Sequence, residues 1–388
     1  MQSPAQPFPD VLEEHWDDLD FLITQRDEIV FDKDYALHEL AEFEERIEAH
    51  LDGVRIAGEP GLAQAREVLE DGSDDGAVQA AARLLVENEA GDKCVMKALH
   101  EGPSLAVARG LRHVPECLER LQAALFECAT GAAEPAAQAA ARDVLTFHRQ
   151  PAPMADAALW SDGDPDLRSA TWLSTARLGM LSPGHLETAL AEGDPAVRET
   201  AFRALAQGSV PGLVEALRSA AFHGTSDVGQ DPVALKILGA LGSMDDLDAI
   251  LSVAAPAPEP TEASTALRVA ALEALGALGS PRALGCLAES IEDEATREAG
   301  LDGWTRITGL ELDPETASRA QLDRAEAAWL EGKDQTALWQ GGYEIPGGTW
   351  AGLPGLSLRS RRDLYLALRR SGSTGDHELE ALALRQQR

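Results

Sequence analysis

The sequence predicts an all-α protein, an α-solenoid of stacked short helix pairs with atypical N-terminal helices and a C-terminal cap. Three observations predict it. Residues 194–206 read Asp-Pro-Ala-Val-Arg-Glu-Thr-Ala-Phe-Arg-Ala-Leu-Ala. Asp194 can cap a helix by accepting from free backbone N–H groups, and Pro195 suits the first helical position, where no donor is needed. Val197, Ala201, Ala204 and Leu205 then fall on one helical face. Second, the unit recurs. Asp164-Pro165-Asp166-Leu167-Arg168 repeats its opening, Asp231-Pro232-Val233-Ala234 repeats it again, and residues 267–275 match 197–205 at an offset of 70. Anchored on Arg168, Arg198, Ala234, Arg268 and Arg297, the steps are 30, 36, 34 and 29 residues, the period of stacked helix pairs. Third, alanine and leucine dominate and aromatics are 5%, which favours helices over sheets.

Taken in order, residues 1–9 form a Pro-rich lead-in. Asp10 and Glu13 make a capping-box start, followed by an apolar stripe of Leu12, His15, Trp16, Leu19, Leu22 and Ile23. Residues 25–33 read as a connection, with Asp34 capping a second helix. That helix carries Leu37, Leu40, Phe43, Ile47 and Leu51 inside and Glu42, Glu44, Glu45 and Glu48 outside, and Gly53 and Gly58 punctuate its end. Helices follow at 60–70 and 77–86. Residues 93–130 read as two helices, interrupted near Gly102-Pro103 and Val114-Pro115. An Ala-rich run at 136–145 and the repeats occupy 132–310, with a Pro-rich loop inserted at 254–261. Residues 313–330 are helical. The stretch 339–355 is too rich in Gly and Pro to be helix, 359–370 is a basic amphipathic helix, and 377–384 is a last short helix. The expected organisation is an N-terminal helical region at 1–75, a repeat region at 76–310, and a cap at 311–388.

The Asp-Pro-x-Val/Leu-Arg openings resemble HEAT repeats. The middle copy has Ala234 in place of Arg, so a ladder of Asp–Arg contacts between repeats should be interrupted there. Residues 35–58, with Arg306-Ile-Thr-Gly-Leu-Glu-Leu312 and the Gly347-Gly-Thr-Trp-Ala-Gly-Leu-Pro354 segment, resemble the terminal signatures of an uncharacterised proteobacterial HEAT-repeat family associated with type VI secretion loci. The resemblance implies an accessory, adaptor or immunity-type protein and names no catalytic residue.

Acidic residues number 66 against 33 basic, a net charge of −33, which repels phosphate backbones and argues against nucleic acid. Residues 355–388 run the other way, with seven arginines and four acids. No signal peptide or membrane-spanning run is visible, so the expected location is the cytoplasm without membrane insertion. Cys94, Cys117, Cys128 and Cys286 form no metal-type pair, and the nine histidines form no His-Glu-x-x-His. Residues 71–75 lack the full calcium-loop pattern. There is no Gly-x-Ser-x-Gly elbow and no Walker-type loop. Gly239–Gly242 and Gly276–Gly279 read as helix ends. No catalytic residue, metal site or cofactor is expected.

The expected function is a non-catalytic protein-binding scaffold whose partner is basic or belongs to a bacterial secretion system. The alternatives are an enzyme or small-ligand protein using the solenoid groove, and self-assembly. One segment points to a partner site: Trp339, Tyr343 and Trp350, followed by Arg359, Arg361 and Arg362. Aromatics and arginines are the usual anchors of interfaces. The same aromatics also suit a cap that seals the stack.

Overall fold

The computed structural model describes residues 9–340, apart from short stretches at 31, 33–34, 73, 88–90, 131–132, 154–156, 224–229, 258, 311, 314 and 336, together with residues 343–344. Helices dominate, as the Ala/Leu-rich composition requires. The chain divides into two compact units, the first running through Met180 and the second from Leu181. This division falls inside the 76–310 stretch.

The first unit contains α1 (Pro9–Ile29), α2 (Leu37–Ala57), α3 (Glu59–Asp71), α4 (Asp75–Val86), α5 (Asp92–Glu101), α6 (Ser104–Leu111), α7 (Leu118–Thr130), α8 (Pro135–Phe147), α9 (Ala157–Trp160) and α10 (Pro165–Arg177). Helix α1 packs on α2 and α4. Helices α3, α5 and α7 lie against α4, α6 and α8, and α4, α6, α8 and α10 pack each on the next. The second unit contains α11 (Gly184–Ala191), α12 (Pro195–Gln207), α13 (Leu213–Arg218), α14 (Pro232–Leu241), α15 (Leu247–Ala254), α16 (Glu262–Leu278), α17 (Leu284–Ser290), α18 (Arg297–Thr308) and α19 (Arg319–Leu330). A hairpin of β1 (Trp339–Gln340) and β2 (Tyr343–Glu344) follows, paired antiparallel with Trp339 opposite Glu344. Here α11, α13, α15 and α17 lie against α12, α14, α16 and α18, and the latter four again pack in succession. No described helix is long and apolar enough to cross a membrane.

The Asp-Pro openings cap helices. The Asp194 carboxylate accepts from the Ala196 and Val197 amides at 2.9 and 3.2 Å. Asp164 and Asp231 accept from Asp166 and Val233, each at 2.9 Å. The arginines at this repeat position are clamps. Arg168, Arg198 and Arg297 each donate to a carbonyl six residues back, at Asp162, Glu192 and Ile291. Arg268 reaches fourteen residues back, to Ala254, because the Pro-rich loop is inserted between. The same arginines reach forward: Arg198 to Asp231 at 3.2 Å and Arg268 to Asp293 at 2.6 Å. Ala234, fully buried, has no polar group to continue this series.

Helix ends show the period too. Arg149, Gly179 and Ser209 have φ of 60°, 67° and 50°, and Gly279 and Gly309 have 77° and 70°. Within each set the positions are thirty residues apart. The amides that follow the first three, on Gln150, Met180 and Val210, bond back to Leu145, Thr175 and Leu205, closing left-handed helix caps.

Several expectations are corrected. Helix α1 does not stop at residue 25. It continues to Ile29, because Arg26 turns inward with Ile29 and Val30. Glu44 is not outside: it is 2% exposed and accepts from Arg26 Nε at 3.0 Å. Gly53 lies inside α2 against the His15 ring rather than at a helix end. Residues 93–130 form three helices, with Gly102-Pro103 and Val114-Pro115 both acting as breaks. Helix α19 starts at Arg319, since Asp313 closes a turn onto Glu315 and Thr316 instead. Gly242 and Gly279 do end helices, but Gly239 and Gly276 are interior. A Cβ at Gly239 would strike the Ala274 backbone, and one at Gly276 the Gly303 backbone. The sequence repeats Gly-Ala-Leu-Gly because helix backbones touch there.

Candidate functional site

The first unit holds a cleft of about 410 Å³. The C-terminal turn of α1 forms one wall, and residues of α4, α6, α8 and α10 form the other. Its acidic lining is Asp27, Glu28, Asp75, Asp143 and Asp166; its basic lining is Arg26, Arg109 and Arg112. Two of these groups are neutralised in place. Arg26 is held by Glu44. Asp143, 1% exposed, receives Arg112 Nε and Nη2 at 2.7 and 2.9 Å and Arg177 Nη1 at 2.7 Å. Burial alone would push the Asp143 carboxyl up, but the two guanidiniums outweigh it and hold the carboxyl down at about 2. Both guanidiniums also sit over the Phe147 ring, at 5.4 and 5.2 Å from its centroid. Helices α6, α8 and α10 are thus joined by one charged knot.

The remaining charges are looser. Asp27 accepts from Gln79 Nε2 at 2.9 Å. Arg109 Nη1 lies 3.8 Å from both Asp27 and Asp75, beyond hydrogen-bonding distance. Val30, Leu105, Ala170 and Leu173 supply apolar surface between the charges. The arrangement suits a long side chain with an apolar stem and a cationic head.

Sequence reading missed these residues, although a signal was present. Asp75, Arg109, Asp143 and Arg177 stand 34 residues apart and alternate in sign. Helices α4, α6, α8 and α10 begin at 75, 104, 135 and 165, about thirty apart. The extra four residues are one helical turn, so the series stays on one face and steps along it.

Of the expected partner residues, Trp339 is described and is buried. Its ring meets Trp329 edge-on at 5.2 Å, and its indole donates to the Asp334 carbonyl at 3.1 Å. Lys333 Nζ sits over both rings, 4.8 and 4.7 Å from their centroids. The neighbouring Gln340 donates to the Gly276 and Ala277 carbonyls at 2.8 and 3.0 Å and accepts from Arg306 at 3.2 Å, closing the end of α16. Trp339 is therefore packed against α19 and the residues that follow it. Tyr343 lies on β2. Trp350, Arg359, Arg361 and Arg362, and the helices expected at 359–370 and 377–384, lie outside the described residues, as does the Asp34 cap.

Other reactive types are used in packing. Cys117 and Cys128 are buried, and burial pushes both thiols up to about 11, leaving them protonated. His15 and His50 face one another, Nδ1 to Nδ1 at 3.1 Å, across α1 and α2, while His38 is exposed. Among the described residues no group of three His, Cys, Asp or Glu side chains is arranged to hold a metal ion.

Compared with known protein families and curated proteins, the chain matches no family model and no curated sequence.

Proposed function

We propose that the chain is a non-catalytic, cytoplasmic protein-binding scaffold, an α-solenoid of HEAT-like helix pairs whose first unit receives a basic segment of a partner protein. One observation carries this reading: the cleft over α4, α6, α8 and α10 has five acidic and three basic side chains in its lining, on a chain of net charge −33. Charge complementarity of that kind selects and steers a cationic partner. The packing of α4, α6, α8 and α10, each on the next, and of α12, α14, α16 and α18 likewise, supports the solenoid part.

The more specific role is that of an accessory, adaptor or immunity-type protein of a bacterial secretion system. It rests on the resemblance of residues 35–58 and of the two C-terminal segments. It is tested by competition between a gene-deletion strain and its parent. Sensitivity to a sibling's toxin supports immunity, and unchanged growth removes it.

The scaffold itself is tested by quantitative copurification from native lysate, comparing the intact chain with Asp75→Asn/Asp166→Asn. A partner with a basic segment that is enriched on the intact chain and depleted on the variant is the expected result. Recovery of no partner, or of one indifferent to the variant, contradicts the reading.

A further inference from the structure

We propose that Arg109 is a built-in placeholder for an arginine of the partner, lying between Asp27 and Asp75 until the incoming guanidinium displaces it. This rests on the scaffold reading above and adds the partner's chemistry and the means by which its affinity is set.

The contrast between neighbouring arginines carries the inference. Arg112 and Arg177 bind Asp143 through hydrogen bonds of 2.7–2.9 Å. Arg109, one helical turn before Arg112 on the same wall, faces two carboxylates and hydrogen-bonds neither, at 3.8 Å from each. Its side chain is 35% exposed, so it can leave without a desolvation barrier. Asp75 is open to solvent, and Asp27 is anchored by Gln79 at 2.9 Å and by Arg26 Nη1 at 3.5 Å. Two carboxylates set about one guanidinium can accept a forked donor, the geometry that arginine supplies and lysine does not. Leu105 and Leu173 lie beside them to take the apolar stem. An incoming arginine thus meets a site already shaped for its head group, occupied by a weakly held copy of it. The resident charge weakens binding of every cationic ligand, and only one able to form the forked pair recovers the loss.

The test is calorimetric titration of the full chain with a blocked Gly-Arg-Gly-Arg-Gly peptide, and with its lysine and citrulline counterparts. Arg109→Gln is expected to bind the arginine peptide roughly fivefold more tightly, the scale of one solvent-screened ion pair. Asp75→Asn is expected to bind it roughly tenfold more weakly. Arg282→Gln, which removes the same charge from the second unit, and Glu119→Gln on α7 control for the general field and should leave the affinity unchanged. The citrulline peptide should not bind, and the lysine peptide should bind more weakly than the arginine peptide to both the intact chain and Arg109→Gln. If Arg109→Gln weakens binding, or Arg282→Gln strengthens it equally, the placeholder is overturned. Peptide binding that ignores both Arg109 and Asp75 overturns it as well, while leaving the scaffold reading to stand on its copurification result. Absence of peptide binding to any variant also overturns it.

Discussion

The two units repeat helix pairs at similar spacing and fasten them with charged pairs and glycine contacts placed differently. In the first unit buried charges join helices, beside glycine contacts of Gly76 with Asp20 and of Gly110 with Gln79. Arg26 meets Glu44 between α1 and α2, and Arg112, Asp143 and Arg177 tie α6, α8 and α10 around Phe147. In the second unit charged pairs such as Arg218–Asp246 and Arg198–Asp231 join neighbouring segments, but the long helices α14, α16 and α18 meet where side chains are missing. Gly239 lets α14 touch α16 at Ala274, and Gly276 lets α16 touch α18 at Gly303. A charged joint is directional and leaves a polar surface nearby, and here that surface is the cleft. A glycine joint is close and leaves little exposed. The charged joints of the first unit, through Arg26, Arg112 and Asp143, border the candidate site.

The contrast can be broken most forcefully at Asp143. Asp143→Ala removes the shared acceptor of two buried guanidiniums and is expected to destabilise the first unit by about 3–5 kcal/mol. Urea unfolding followed through Trp160 and Trp172, which meet edge-on at 4.8 Å in this unit, reads the effect. Loss of less than about 1 kcal/mol would mean the knot is not a fastening.

Acid should separate the units next. The Asp143 carboxyl titrates at about 2 when folded against 3.8 otherwise. Its stabilising contribution is therefore present above 3.8 and is lost as pH falls from 3.8 towards about 2. That shift corresponds to about 2 kcal/mol. The first unit should lose stability across this window by that amount, and Asp143→Asn should remove this component of the pH dependence. An Asp143→Asn variant with an unaltered acid profile contradicts the assignment.

In the second unit the corresponding break is Gly276→Ala. The added methyl meets the Gly303 backbone, and the expected cost is about 1–3 kcal/mol, confined to that unit's unfolding transition. No change in the transition would mean that α16 and α18 can separate freely. The smallest effect is at the helix ends. Ser209 occupies a left-handed position where the copy thirty residues earlier has Gly179. Ser209→Gly relieves side-chain strain but adds unfolded-state freedom, for a net gain of about 0.5 kcal/mol. Destabilisation instead would show that the serine side chain matters more than its backbone.

The sequence carried the all-helical class and the caps of α10, α12 and α14 plainly, because Asp-Pro at a helix start has one common physical use. It concealed what depends on contact between distant residues. Glu44 reads as a surface acid until Arg26 is seen beside it. Gly53 reads as a stop until the His15 ring is placed against it. Gly239 and Gly276 read as ends because closeness to a neighbouring backbone leaves no local mark. The cleft was hidden for the same reason, since single carboxylates in a chain with 66 acids carry no weight. Only the alternation of Asp75, Arg109, Asp143 and Arg177 at a 34-residue step distinguishes them from the rest. Trp339 was readable as an anchor or as a cap, and its burial against Trp329 and Lys333 is a property of the folded end alone.

The central claim is that the cleft of the first unit receives a cationic segment. Hydrogen–deuterium exchange of the full chain, with and without the arginine peptide, tests it most directly. The expected result is slowed exchange in the last turn of α1 and the first turns of α4 and α10, with the second unit unchanged. Slowed exchange confined to the second unit, or none at saturating peptide, would contradict it.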